Sequence, residues 1–237
     1  MLTICLDAGH GMNTTGKRCM KSIDPNQTRE WFLNQRIVSK VERKLTGYNV
    51  KVIRVDDPTG KSDVPLKSRT DIANKENATI YCSFHHDAGA NGSSAGGISV
   101  FTYDDRGELV TLRNLLYDCL RGAGGLGGRA NPKRHADFHV LRETKMNAVL
   151  VEHGFMDSTT DTPVILSEEY AEKMACGWVE FFEKHLHIEK KSEPTPTVET
   201  GKYYRVQCGA FSKRENAEKL KREIFEKTGI DCIIKYE

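Results

Sequence analysis

Four residues of this chain have types and positions that could do chemistry together: His10, Glu30, His85 and Glu152. A catalytic zinc takes about three protein ligands from imidazole and carboxylate and keeps a position for water. His10, Glu30 and His85 supply that set from a strand-end turn, a helix start and a second strand end. Glu152 would then take the proton from the water and pass it to a departing nitrogen. Taken singly, each residue has a plainer account. A histidine beside glycines is commonly a turn residue, and Glu30 suits the first turn of a helix, where the dipole favours a carboxylate. Glu152 is harder to dismiss, because it ends the apolar run Ala148-Val149-Leu150-Val151, where an unpaired charge is costly. His86 and His153 offer further imidazoles beside His85 and Glu152. Successive strand residues point to opposite faces, so His85 and His86 cannot easily share one ion, but spacing alone does not choose between them.

The elements that must position these groups are legible from hydrophobic period. Thr3-Ile4-Cys5-Leu6 runs into Asp7-Ala8-Gly9-His10-Gly11, a buried strand ending in a glycine-rich turn. Residues 28–45 place Trp31, Leu33, Ile37, Val38, Val41 and Leu45 at helical spacing. Strands are expected at 48–55, 78–84, 96–103 and 148–152, and helices at 65–77, 107–122 and 167–186, with a loop at 122–128 that, with Arg129, could line a groove. This alternation predicts an α/β fold in three layers, a mostly parallel twisted sheet flanked by helices. In such folds functional groups gather at the carboxyl ends of strands, where His10, His85 and Glu152 all fall.

Composition narrows the function classes. A formal net charge of +2 gives no basic face for nucleic acid. The amino terminus, Met-Leu-Thr-Ile-Cys-Leu-Asp, lacks the basic and apolar regions of a secretory signal, and no apolar run approaches the roughly 20 residues of a membrane span. Synthesis in the cytoplasm is expected, with any external target reached by outside help. The cysteines at 5, 19, 82, 119, 176, 208 and 232 are odd in number and show no CxxC pair, which suits reduced thiols. Cys19, in a polar loop, is the thiol to watch for reactivity, although an inert one is the simpler expectation.

The ordered strings Asp7-Ala8-Gly9-His10-Gly11, Glu30 with Asn34, Ser83-Phe84-His85-His86-Asp87-Ala88 and Val151-Glu152-His153-Gly154-Phe155 resemble the zinc N-acetylmuramoyl-L-alanine amidases of the amidase 3 type. Leu66 to Asn74 and Val140-Leu141-Arg142 also resemble family segments. The resemblance implies one Zn2+ held by His10, Glu30 and His85, with Glu152 as the catalytic glutamate. It also implies hydrolysis of the amide joining N-acetylmuramic acid to L-alanine in peptidoglycan. Two positions depart from the family: Asp87 stands where asparagine is usual, and His153 where a small residue or threonine is usual. Filling space is the expected role of His153.

Residues 187–201, with Pro194 and Pro196 among Thr and Glu, read as a linker between a catalytic domain at 1–186 and a small β-α-β unit at 202–237. Tyr204-Arg205-Val206-Gln207-Cys208-Gly209-Ala210-Phe211 followed by Ala217-Glu218-Lys219-Leu220 resembles the opening half of a SPOR-type peptidoglycan-binding repeat. The expected elements are a strand at 203–207, a helix at 212–228 and a strand at 231–236. Such a half-domain leaves strand edges unpaired, so homodimer formation through 202–237 is expected. The resulting reading is a lytic enzyme of a bacteriophage, released through a holin as an endolysin, or of a sporulating Gram-positive bacterium, released on mother-cell lysis. The alternatives are a non-catalytic wall-binding protein on the same fold and a zinc amidohydrolase acting on a small soluble amide.

Overall fold

The computed structural model describes residues 1–191 and 208–235. The chain divides into two compact units, Met1–Ser192 and Glu193–Glu237. In the first, the strands are β1 (Leu2–Ala8), β2 (Val50–Arg54), β3 (Ile80–Asp87), β4 (Ser99–Thr102), β5 (Lys133–His135) and β6 (Asn147–Phe155). They form one sheet in the order β2-β1-β3-β6-β4-β5. All neighbouring pairs are parallel except β4 with β6. The helices are α1 (Glu30–Leu45), α2 (Leu66–Lys75), α3 (Glu108–Gly122), α4 (His139–Arg142), α5 (Thr162–Ile165) and α6 (Glu168–Leu186).

The period-2 alternation of the central strands divides their side chains between two cores. Ile4, Leu6, Ile80, Cys82, Phe84, Val149 and Val151 join the larger core with residues of α1, α3 and α6. Trp178, Phe181 and Phe182 of α6 are all 0% exposed there; burying each contributes on the order of 2–3 kcal/mol. Cys5, Tyr81, Ala148 and Leu150 face the smaller core, closed by Ala73 of α2 and by Val140 and Leu141 of α4. Ser167 caps α6, accepting from Tyr170 N at 3.1 Å. No helix among the described residues is long and apolar enough to cross a membrane.

The expected strands and helices of this unit are present, with β3 running on through His85 and His86 to Asp87. β5, α4 and α5 were not expected; at three or four residues they are too short for hydrophobic period to reveal. The loop after α3 is anchored, because Gly125 N donates to Leu120 O (2.8 Å) and Ile98 N to Leu126 O (3.0 Å). Cys19 is the inert thiol of the simpler expectation, but it is buried rather than at the surface of its loop: it is 1% exposed, and burial pushes its thiol up to about 12. A thiol so held is not reactive at neutral pH. No disulfide joins the described cysteines.

In the second unit, α7 (Arg214–Thr228) occupies the expected helix and ends at Gly229, which takes φ +72° and donates to Phe225 O at 2.8 Å. Residues 231–235 are not in a strand, against expectation, and the expected strand at 203–207 lies outside the described residues. A strand exists only through its ladder partner, so the pattern at 231–236 was insufficient by itself.

Candidate active site

Three strand ends and one helix start converge. β1 delivers Gly9 and His10, β3 delivers His85, β6 delivers Glu152 and α1 begins with Glu30. The His10 Nε2 and His85 Nδ1 atoms stand 3.3 and 3.0 Å from the same oxygen, Glu30 Oε1. One ligand atom from each of the three residues lies within 4.8 Å of the others. Gly9 makes this convergence sterically feasible: a Cβ there would sit 2.0 Å from the His85 ring. His10 takes φ +68°, a left-handed conformation rare for a residue with a side chain.

Glu30 is 1% exposed, and its Oε2 is buried with no hydrogen-bond partner. Burial opposes its ionisation, but the hydrogen bonds from His10 and His85 outweigh burial and hold the carboxyl far below the usual range. An ionised carboxylate that meets two imidazole nitrogens at Oε1 and leaves Oε2 buried without a hydrogen bond fits a metal cation. Lys17 Nζ approaches Oε2 to 3.7 Å from the rim.

Glu152 is the register partner of His85 across β3 and β6, which puts both side chains on one face. Part of its side chain meets a cleft of about 340 Å³ also lined by Thr15, Gly16, Lys17, His86, Asp87 and Ala88. Its Oε2 is buried without a partner. Burial pushes this carboxyl up to about 8; His85 pulls it down, while Glu30 and Asp87 push it further up. Ser99, its antiparallel partner on β4, likewise carries a buried hydroxyl without a partner. Immediately after Glu152 the β3–β6 register shifts, from His85 opposite Glu152 to Asp87 opposite Phe155. Gly154, at φ +128°, absorbs the extra residue.

The neighbouring imidazoles fall elsewhere. His86 is 3% exposed on the opposite face and donates from Nδ1 to Asn34 Oδ1 at 2.8 Å, while Asn34 Nδ2 donates to Gly9 O at 3.1 Å. His153 is fully buried; its Nε2 accepts from Trp178 Nε1 at 3.0 Å, which leaves the proton on Nδ1 to be donated to His85 O at 3.1 Å. Burial drives the His153 pKa down to about 3, so it stays neutral. Asp87 pairs with Arg129 at 3.0 Å, and that guanidinium also lies over the Phe155 ring. Sequence reasoning passed over Asp7, Lys17, Arg69 and Ser99 as site components, because none belongs to a ligand-like pattern until the fold assembles it.

Residues 4–183 match the family model described as N-acetylmuramoyl-L-alanine amidase, and residues 189–236 match the SPOR domain. The chain is 28% identical over 237 residues to the N-acetylmuramoyl-L-alanine amidase CwlM of Bacillus licheniformis, covering all of this chain and 85% of that one. It is also 28% identical, over 235 residues, to the sporulation-specific N-acetylmuramoyl-L-alanine amidase of Bacillus subtilis (strain 168), covering 99% and 84%. The crystal structure of an N-acetylmuramoyl-L-alanine amidase from Clostridium difficile 630 superposes with a TM-score of 0.70 at 26% identity, covering 78% of this chain and 97% of that one.

Proposed function

The chain belongs to the N-acetylmuramoyl-L-alanine amidase family, and from that premise we propose how it hydrolyses the amide between N-acetylmuramic acid and L-alanine of peptidoglycan. One Zn2+ would be held by His10 Nε2, the Glu30 carboxylate and His85 Nδ1. The observation that carries this is the meeting of those ligand atoms within 4.8 Å on a carboxylate whose other oxygen, Oε2, is buried without a hydrogen bond. Bound zinc would acidify water and polarise the scissile carbonyl.

The protein's own groups do the rest. Glu30 arrives ionised, because hydrogen bonds hold its carboxyl low against the cost of burial. Glu152, with its affinity for protons raised toward neutral pH, acts as general base toward water and then as general acid toward the leaving nitrogen. Its place opposite His85 in the ladder supports this role. Lys17 supplies a cation on the cleft wall.

We assign the catalytic domain to 1–186, the linker to 187–201 and a half-length SPOR unit to 202–237. The SPOR match supports wall targeting by this last segment. Pairing of two chains through it is our further proposal; light scattering that gives the full chain, like residues 1–187, the mass of a monomer would exclude it. Kinship to a sporulation-specific amidase supports release on mother-cell lysis over release through a holin.

Purified wall incubated with the protein should lose turbidity and gain alanine amino groups. A chelator should stop both and added zinc restore them. Release that persists in chelator would refute the zinc mechanism, and no release under any condition would leave a wall-binding protein.

A further inference from the structure

The turn that carries His10 is gripped from below by an arginine to which the mechanism gives no role. Arg69, on α2, is 1% exposed. Its Nη1 donates to Asp7 Oδ1 and to Ala8 O (2.9 Å), its Nη2 to His10 O (3.0 Å) and Asp63 Oδ1 (3.1 Å), and its Nε to Val64 O (2.8 Å). The guanidinium therefore spans the glycine-rich turn from Asp7 to His10. His10 adopts its left-handed φ of +68° inside that grip, a conformation that persists only where the surroundings impose it. Asp7 is fixed in turn by Tyr81 Oη and Ser83 Oγ, each donating at 2.8 Å.

The same arginine reaches the cleft wall. Asp63, its outer partner, accepts from Thr14 Oγ1 at 2.6 Å, and Thr14 Oγ1 accepts from Gly11 N at 2.9 Å. Lys17 N donates to Thr14 O at 3.4 Å, so this connection runs on to the segment bearing the rim cation, which Arg29 also holds through Thr14 O at 2.6 Å. A lysine at position 69 could not reproduce the arrangement, because a point charge lacks the planar fork that meets these acceptors together.

We propose that Arg69 is a positioning residue of the metal site, holding the Asp7–Gly11 turn in the left-handed geometry that aims His10 Nε2 at Glu30 and His85, with Asp63 as its outer arm. The proposal rests on the reading of His10 as a ligand. Partners outside the ligand set commonly change metal affinity by about 10- to 100-fold.

The test is zinc affinity of the full chain, measured by competition with a chromophoric chelator, beside thermal unfolding of the metal-free protein. Arg69→Lys should weaken zinc binding by about tenfold or more. Asp63→Asn, at a partly exposed site, should weaken it by about threefold at a nearly unchanged unfolding temperature. Val140→Ala, in the smaller core, should lower the unfolding temperature and leave affinity unchanged, which separates positioning from general destabilisation. Affinity within about twofold of wild type in both Arg69→Lys and Asp63→Asn overturns the proposal; if Arg69→Lys does not fold, Asp63→Asn decides alone. His10→Ala guards the premise. Zinc binding unaffected by His10→Ala sinks the ligand reading, whereas zinc lost there but retained in the other two variants sinks only the role of Arg69.

Discussion

On one face of the sheet Phe84, His86, Val151 and His153 point beneath α1, α3 and α6; on the other, Ser83, His85, Leu150 and Glu152 point toward the thinner layer of α2 and α4. The thick layer buries its histidines, His86 at 3% exposed and His153 at 0%. His153 lies between Phe84 and Trp178, satisfied at both ring nitrogens and driven neutral by burial. The thin layer covers Tyr81, Ala148 and Leu150 and leaves His85 and Glu152 partly exposed at the strand ends. Adjacent residues of identical chemistry thus become core on one side and candidate machinery on the other. What separates them is the layer above each and the partner beside it: Glu30 holds the His85 pKa up against burial, while burial pushes His153 down.

If the two faces divide labour in this way, substitutions on each should fail differently. The largest effect is expected from Glu152→Ala: a loss of about 10²–10⁴ in kcat on wall fragments, with zinc retained by metal analysis. Loss of zinc instead would make Glu152 a ligand and break the assignment. On the thick face, Trp178→Ala should cost about 3–5 kcal/mol in denaturant unfolding, because a 0% exposed indole leaves a cavity. Turnover per folded molecule should stay near wild type below the new transition; a matching fall in kcat would mean that the faces are not separable.

A finer test is His153→Thr. It strands the Trp178 indole N–H, at a cost of about 1–3 kcal/mol, and should spare kcat. The raised carboxyl also makes stability depend on pH. The Glu152 carboxyl binds its proton more tightly in the fold, at about 8 against an ordinary 4.5. Its contribution to stability is therefore complete below about pH 4.5 and is lost as pH rises through about 8. The metal-free protein should lose unfolding temperature over that window, and Glu152→Gln should flatten the loss. An equal slope in both proteins would place the raised affinity elsewhere.

Much of the site was legible because its residues end apolar runs. The strands before His10, His85 and Glu152 announce themselves by composition, and a shared sheet end follows from the α/β alternation. The roles of Asn34 and Arg69 were not legible as geometry. Asn34 joins Gly9 to His86, and Arg69 grips Asp7 and His10 from about sixty positions away. Contacts at that separation leave no periodic trace in the chain. Nor could Cys19 be read correctly: its polar neighbours suggested a surface loop, while the fold buries it against the larger core.

The sequence by itself determined the alternating strands and helices, the chemical types available at the strand ends and the kinship of residues 4–183 to the amidases. These are local properties, written in hydrophobic period and in short ordered strings. Only the tertiary structure decided which imidazoles stay near solvent, that Glu30 sits within reach of both His10 and His85, and that the carboxyl of Glu152 is pushed toward neutral pH. Those outcomes depend on what packs over each face and on distances between separate elements. Burial and Coulomb interaction act through space, and neither is a property of sequence neighbours.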